Sequence, residues 1–321
     1  MYYLGLDTSA YTTSLAVVDR SGQCVWESRR LLNVPAQTTG LAQSAAFFQH
    51  MQNLPELTEA LPQAYLSHLA SVGVSVAPRP VEGSYMPVFT AGIAAARILA
   101  AAKGIPLFRT THQEGHIAAA LRGNEHLIQE PFLAVHLSGG TTELLHVRAR
   151  SPGYLRIELL GGTTDLHAGQ FVDRVGVRLG LAFPTGKYLE QLALSGSAEA
   201  GSWLPSSVQG LRISFSGVET AAVRLLEQGK AQADVARAVE GCIARTLSKW
   251  LSAGMRETGR RKILLAGGVA ANRFIRQEIE RRMQKSERGN MALYWAKPEW
   301  CGDNAVGVAL LTREADQERS K

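Results

Sequence analysis

A hairpin-led unit of alternating strands and helices occurs twice in the chain, and this repetition constrains the fold more than any single motif. The first unit opens with the apolar run Tyr2–Leu6, the polar turn DTSAYTTS, a second run Leu15–Val18, the turn DRSGQ, and Val25–Arg30. Apolar runs joined by short polar turns read as a strand meander. A helical pattern follows over Thr39–Leu61, with Leu41, Ala45, Phe48, Met51 and Leu54 near the helical period. A strand at Ala70–Val76, the loop APRPVEGSY, an Ala-rich helix over Pro87–Ala102 and a strand at Ile105–Phe108 complete it. The second unit opens with Phe132–Leu137, a Gly-Gly turn and Glu143–Val147, then a strand at Leu155–Leu160. Helices follow within GGTTDLHAGQFVDRVGVRLGL and from Lys187, Gly217 and Ala231. The strand Ile263–Ala266 runs into Gly267-Gly268 and a helix from about Asn272, before a last strand Leu293–Ala296 and a last helix Asp303–Glu318. Alternating β and α elements imply an α/β architecture of two related lobes. The absence of a long Pro/Gly/Ser linker implies that the lobes pack closely around a cleft.

Composition narrows the class. With 45% hydrophobic and 19% charged residues, the chain is not a largely disordered one. Cys24, Cys242 and Cys301 are too few and too scattered for a disulfide framework. The opening MYYLGLDTSAY has no secretory pattern. The most apolar stretch, Pro87–Ala102, is shorter than a membrane span of about 20 residues and carries Arg97. A cytoplasmic protein without a membrane segment is expected. Its net charge of +6 permits a polyanionic partner.

Five motifs could carry chemistry. In His112-Gln-Glu-Gly-His116 the two histidines stand one helical turn apart, where both imidazoles can reach one ion. A pair of surface or capping histidines would look the same. The Glu does not directly follow the first His, so a zinc-protease reading is weak. Glycine pairs follow apolar strands at Ser138-Gly139-Gly140-Thr141-Thr142 and at Gly267-Gly268, the latter leading to Asn272. Such turns let backbone N–H groups approach a phosphate, and with Asp7-Thr8-Ser9 they suggest phosphate-facing hairpins. Asp173, on the polar side of a helix, is either a ribose-binding carboxylate or a solvated charge. Ile213-Ser214-Phe215-Ser216-Gly217 reads as a helix N-cap. Asp303 in Cys301-Gly302-Asp303-Asn304 is either a cap of the last helix or a further metal ligand.

The motifs HQEGH, SGGTTEL, AGQFVDRV, ISFSGVET, LLAGGVAANR and CGDNA, in this order and spacing, resemble the tRNA threonylcarbamoyladenosine transferase family, TsaD-like and formerly called glycoprotease. The resemblance covers roughly residues 3 to 312. It implies two actin-like, sugar-kinase-type ATPase lobes around a nucleotide cleft. Residues 1–108 would form the first lobe and 109–321 the second, with the last helix, about 303–318, able to pack back on the first. By position it implies a divalent metal (iron, zinc or manganese) on His112, His116 and Asp303. It implies an adenine nucleotide, ATP or an acyl-adenylate, at Ser138, Gly139, Gly140, Thr141, Thr142, Asp173, Gly186, Glu190, Gly267, Gly268 and Asn272. The implied acceptor is tRNA, with Arg276, Arg281, Arg282 and Lys285 on one helix as candidate contacts. Accessory subunits, including a smaller paralogue of the same fold, are implied as well.

The chain departs from the family's pattern in several places. Thr141 replaces a His, and Asp7-Thr8-Ser9-Ala10-Tyr11-Thr12-Thr13 lacks two acids. Pro78-Arg79-Pro80-Val81 replaces a glycine loop, and Glu219 replaces a Lys. Leu166 and Gln170 replace two further acids near Asp165. Two alternatives therefore stand beside threonylcarbamoyl transfer to tRNA. One is ATP-dependent or carbamoyl-transfer chemistry on another substrate. The other is a catalytically silent nucleotide-binding scaffold. No side chain stands out as a covalent nucleophile.

Overall fold

A computed structural model describes residues 1–9, 11–34, 41–151, 153–287 and 290–321. The chain folds into two compact units. The first comprises Met1–Glu125, Arg148–Ile157 and Gly302–Lys321, and the second His126–Val147 and Glu158–Cys301.

The first unit is built on a five-stranded sheet of β1 (Tyr2–Asp7), β2 (Thr12–Asp19), β3 (Cys24–Leu31), β4 (Leu69–Ser75) and β5 (Leu107–Thr110), in the order β3-β2-β1-β4-β5. The first three strands form the antiparallel meander, while β4 and β5 join β1 in parallel. The helices of this unit are α1 (Gln43–Glu59), α2 (Gln63–Ser67), α3 (Phe89–Lys103) and α4 (His112–Ala120). Alternate residues of a strand face opposite sides, and here the two sides differ in kind. Leu4, Leu6, Val72 and Val74 pack with Leu54 and Leu57 of α1 and with Ala91 and Ala96 of α3. The opposite side carries glycines. A Cβ on Gly5 would lie 2.5 Å from the Ala305 carbonyl oxygen and the Ala309 nitrogen, and one on Gly73 would strike Thr312. Missing side chains thus admit the last helix of the chain, numbered below, flat against the sheet.

The second sheet, whose segment Arg148–Ile157 is counted with the first unit, repeats this order. Strands β6 (Phe132–Leu137), β7 (Thr142–Ser151), β8 (Tyr154–Thr163), β9 (Val208–Gln209), β10 (Arg212–Ile213), β11 (Lys262–Ala266) and β12 (Ala292–Trp295) lie in the order β12-β11-β6-β7-β8-β10-β9. Three strands in sequence followed by two parallel ones, β8-β7-β6-β11-β12, match β3-β2-β1-β4-β5, so the duplicated unit is real at the level of topology. Helices α5 (Ala168–Arg178), α6 (Gly186–Ala193), α7 (Ser216–Glu227), α8 (Gln232–Thr258) and α9 (Arg273–Glu287) belong to it, and α10 (Val306–Arg319) closes the chain. Trp250, Phe171 and Phe215 are fully buried in this unit's core. The three cysteines are free. No helix among the described residues is long and apolar enough to cross a membrane.

Two expectations are corrected. The first helix does not bury the expected stripe: Phe48 and Met51 are exposed, whereas Ala46, His50, Asn53, Leu54 and Leu57 are buried. The cause is polar. Thr13 Oγ1 lies 2.8 Å from His50 Nδ1 and accepts from Asn53 Nδ2 at 3.1 Å, and this buried trio fixes the inward face. The first residues of that expected helix, Thr39 and Gly40, lie outside the described residues, as does Ala10 of the first hairpin turn. The last helix starts at Val306 rather than Asp303, because Asn304 Oδ1 accepts the Val306 N–H at 3.0 Å.

Candidate functional site

His112 begins α4 because the chain caps that helix twice over. Thr111 Oγ1 accepts the Glu114 N–H at 3.3 Å, and Glu114 Oε2 accepts the Thr111 N–H at 2.9 Å, a reciprocal capping box. The carbonyls of Ala77 and Pro78 accept the N–H groups of His112 and Gln113 at 2.9 and 3.0 Å, satisfying two of the donors that a helix start leaves open. Glu114 also accepts from Leu155 N at 3.2 Å. The Glu of HQEGH is therefore structural, not a general base.

Two glycines bring this helix against α10. A Cβ on Gly307 would fall 1.8 Å from the Gly115 carbonyl oxygen, and one on Gly115 would lie 3.1 Å from Val308 Cγ2. This close approach carries Asp303, three residues before α10, to the histidine pair. His116 Nε2 lies 2.9 Å from His112 Nε2 and 3.0 Å from Asp303 Oδ1, and His112 Nε2 lies 3.6 Å from the same oxygen. These three donors, half-buried, are the one group of His, Cys, Asp and Glu side chains among the described residues arranged to hold a metal ion. Donors around a tetrahedral ion at about 2.0–2.1 Å stand roughly 3.3 Å apart, and the observed triangle brackets that spacing. Two imidazoles and a carboxylate suit iron, zinc or manganese.

A fourth residue, read from sequence as part of a phosphate-facing hairpin, completes the arrangement. Asp7, at the end of β1 and fully buried, accepts from His112 Nδ1 at 3.0 Å and from Ser9 Oγ at 2.7 Å. A carboxylate on one ring nitrogen fixes the tautomer that presents the other nitrogen to an ion. Burial alone would lower the His112 pKa, but Asp7 and then Asp303 push it up to about 9. Burial would raise the Asp7 carboxyl, yet His112 and Ser9 hold it below the usual carboxylate range. The Asp7-Thr8-Ser9 turn consequently faces inward rather than toward a phosphate. Ser9 serves Asp7, and Thr8 Oγ1 donates to the Val88 carbonyl at 3.1 Å while accepting the Gly92 N–H at 3.2 Å.

The sign of the pH effect follows. In metal-free protein below pH about 9, His112 carries a proton that an ion must displace. Metal affinity is expected to rise about tenfold per pH unit toward pH 9 and then to level. Titration calorimetry at pH 7.5 in buffers of different ionisation enthalpy should show about one proton released per ion. Release unaltered by His112→Ala would contradict the assignment.

The remaining sequence-derived residues lie in the second unit. The strands β6 and β11 are parallel neighbours, and both glycine turns leave from their carboxyl ends, the edge where open α/β sheets bind ligands. Gly267, at φ 102°, is required there: a Cβ would lie 2.1 Å from the Leu137 carbonyl oxygen. Gly139 and Gly140 are exposed with open space above them. Ser138 N donates to Thr141 O at 2.8 Å, closing the turn. Thr142 Oγ1 accepts the Ala168 N–H at 2.9 Å and so ties the turn to α5.

Asp173, on α5, accepts the Thr185 N–H at 2.8 Å, which links it to Gly186 at the start of α6. Glu190, on α6, accepts the Arg273 N–H at 2.8 Å. Asn272 caps α9 by accepting the Ile275 N–H at 2.9 Å and donates to Glu240 Oε1 at 2.7 Å. These contacts join Asp173, Gly186, Glu190 and Asn272 into one chain of interactions around α6. Asp165 takes the role expected of the ISFSG serines. It accepts from Ser214 Oγ at 2.5 Å and from Phe215 N at 3.1 Å, and it also accepts from Ser216 Oγ, so a distant carboxylate covers the start of α7. Although desolvation opposes it, these bonds hold the Asp165 carboxyl well below the usual range. Glu219 faces Arg174 at 3.4 Å.

The sequence model of the TsaD family, tRNA N6-adenosine threonylcarbamoyltransferase, matches residues 32–310. The chain is 30% identical over 315 residues to the tRNA N6-adenosine threonylcarbamoyltransferase of Neorickettsia sennetsu, covering 95% of this chain and 91% of that one. Its fold is similar to that of the activator of 2-hydroxyisocaproyl-CoA dehydratase from Clostridium difficile (TM-score 0.56, 16% identity, 100% and 97% of the two chains). It is also similar to that of a hexokinase of the ROK type from Thermus thermophilus (TM-score 0.51, 17% identity, 99% and 100%). The fold is thus the actin-like, sugar-kinase-type α/β fold.

Proposed function

The chain belongs to the tRNA N6-adenosine threonylcarbamoyltransferase family, a family of tRNA-modifying transferases, and on that premise we propose that it transfers the threonylcarbamoyl group of threonylcarbamoyl-adenylate to an adenosine of tRNA. The observation that carries this reading is the convergence of His112, His116 and Asp303 on one point, with Asp7 orienting His112. In the reaction the exocyclic amine of the adenosine attacks the carbamoyl carbon, the bond from that carbon to the AMP phosphate oxygen breaks, and the amine loses a proton as AMP leaves.

A divalent metal at the three ligands would supply Lewis acidity and a template for the donor. His112 and His116 offer Nε2 atoms and Asp303 a carboxylate oxygen, while Asp7 holds the His112 ring in register. In the second unit, the exposed Gly139-Gly140 turn, in which the Gly140 N–H donates to Ser138 Oγ at 3.3 Å, suits the phosphate of the adenylate. Asp173 suits the ribose hydroxyls, and Asn272 suits the nucleotide beside Gly267 and Gly268. The reading includes a cytoplasmic setting and accessory subunits, among them a smaller paralogue of the same fold.

Titration calorimetry with the adenylate donor, or with AMP as its leaving half, tests the nucleotide assignment. Asp173→Ala and Asn272→Ala should each weaken binding by about 1–3 kcal/mol, the scale of a lost hydrogen bond to a charged or buried group. Wild-type protein that takes up no adenine nucleotide would overturn this part of the reading.

A further inference from the structure

The second unit carries a basic groove that includes Arg281, Arg282 and Lys285 but none of the residues assigned to the metal or the nucleotide. It is about 720 Å³ in volume and is lined by β9, α8 and α9. Six cations face it: Arg245, Lys249 and Arg256 from α8, and Arg281, Arg282 and Lys285 from α9. No acidic side chain is among the lining residues.

The spacing on α8 is that of one helical face, at i, i+4 and i+11. At 1.5 Å per residue this stripe runs about 16 Å. That length spans several phosphates of a nucleic-acid strand, which carries a charge about every 3.4 Å of axis. Ser248, Ser252 and Ser286 also line it, with their hydroxyls already donating to Ala244 O at 2.8 Å, Glu287 Oε1 at 2.7 Å and Met283 O at 3.4 Å.

The cations are held to different degrees. The guanidinium of Arg245 is fixed by the carbonyls of Gly201 and Leu204, and Lys249 Nζ donates to Ser206 Oγ at 2.7 Å. Arg281 and Arg282 share Glu278, which stands outside the groove's lining and neutralises one of the pair. Arg256 and Lys285 meet no carboxylate among the described residues, and with Lys249 they are exposed. Ser252 Oγ donates to Glu287 Oε1 at 2.7 Å, and Glu287 pairs with Arg261, so its charge is also accounted for. Arg276, a candidate from sequence, does not take part. Its Nε donates to the Ala270 carbonyl at 2.6 Å, and its guanidinium stacks 4.9 Å from the Trp295 ring centre. A surplus of unneutralised, exposed cations along a furrow of this length fits an extended polyanion better than a single small anion.

We propose that the α8–α9 groove binds the sugar-phosphate backbone of the RNA acceptor, as a positioning surface that contributes affinity without reading sequence. This rests on the proposed transfer to tRNA.

The test compares wild-type protein with the triple variant Lys249→Glu, Arg256→Glu, Lys285→Glu and with a charge-matched control, Arg20→Glu, Lys103→Glu, Arg319→Glu, placed on exposed residues of the first unit. Binding of an unmodified tRNA transcript is followed by fluorescence anisotropy from about 50 to 200 mM salt, with far-UV circular dichroism and adenine-nucleotide binding as checks on folding. The groove variant should bind at least about tenfold more weakly at low salt, and its log–log salt slope should fall by about 2–3, while the control stays near wild type. Wild-type tRNA binding with an unchanged affinity and slope in the groove variant overturns the groove assignment alone. An equal loss in the control also overturns it, since net charge then suffices. Wild-type protein that neither binds nor modifies tRNA overturns the groove together with the reading it rests on.

Discussion

Purified protein is expected to hold about one transition-metal ion per chain, and His112→Ala or His116→Ala should lose it. Each substitution removes one of three protein donors, and losing a first ligand commonly costs orders of magnitude in affinity. Asp303→Ala should act alike, since its oxygen faces both imidazoles. Asp7→Asn should be milder. Asparagine can still accept from His112 Nδ1 but brings no charge, and loss of such an outer partner typically costs about 10–100-fold. Elemental analysis of protein equilibrated with iron, zinc or manganese gives the answer directly. Equal metal content in wild type and both histidine variants would remove the site.

Gly307→Ala should be the most damaging single methyl group near this centre. The added carbon would lie 1.8 Å from the Gly115 carbonyl oxygen and 2.8 Å from the Ala119 nitrogen. Backbone cannot rotate away as a flexible side chain can, so α10 must move off α4. Overpacking of this kind costs about 1–3 kcal/mol, sometimes more. The shift would also carry Asp303 away from a pair of histidines that sit on the other helix, so metal affinity should fall by tenfold or more although no ligand is altered. Gly217→Ala is the matched comparison: it lies in the first turn of α7 with open space around it, and alanine is the better helix former by about 0.5–1 kcal/mol. Denaturant unfolding of both variants, with metal analysis of each, separates the two effects. Gly307→Ala with unchanged stability and full metal would show that the crossing does not set the ligand geometry.

What could be seen in the sequence divides by range. Strand meanders, glycine turns and the i, i+4 histidines are local patterns, and they reappear as β1–β2–β3, β6–β7–β8, the two turns and α4. Asp303 lies 187 residues from His116, and no periodicity links them. The motif left Asp303 open between a cap and a further ligand, and only resemblance favoured the ligand, because a glycine contact between two helices creates the partnership. Asp7 is 105 residues from His112, and an aspartate at a strand end gives no sign of which histidine it will orient. The single available hint was an acid closing an otherwise apolar strand, a group that must find a partner once buried. The face of α1 was misread because apolar counting favoured Phe48 and Met51, whereas a polar trio with Thr13 decides the inward side. Arg276 shows the same limit in reverse: its charge suggested a surface role, and its planar head instead caps carbonyls and stacks on Trp295.

Complementation measures the central proposal most directly. The chain is expressed in cells depleted of their own threonylcarbamoyl transferase, and total tRNA is digested and analysed for threonylcarbamoyladenosine by mass spectrometry. The account predicts that wild-type protein restores the modified nucleoside, while His112→Ala expressed to the same level does not. Wild-type protein that is folded, metal-loaded and supplied with the accessory subunits, yet leaves tRNA unmodified, would contradict transfer to tRNA and return the chain to another acceptor or to a silent nucleotide-binding role.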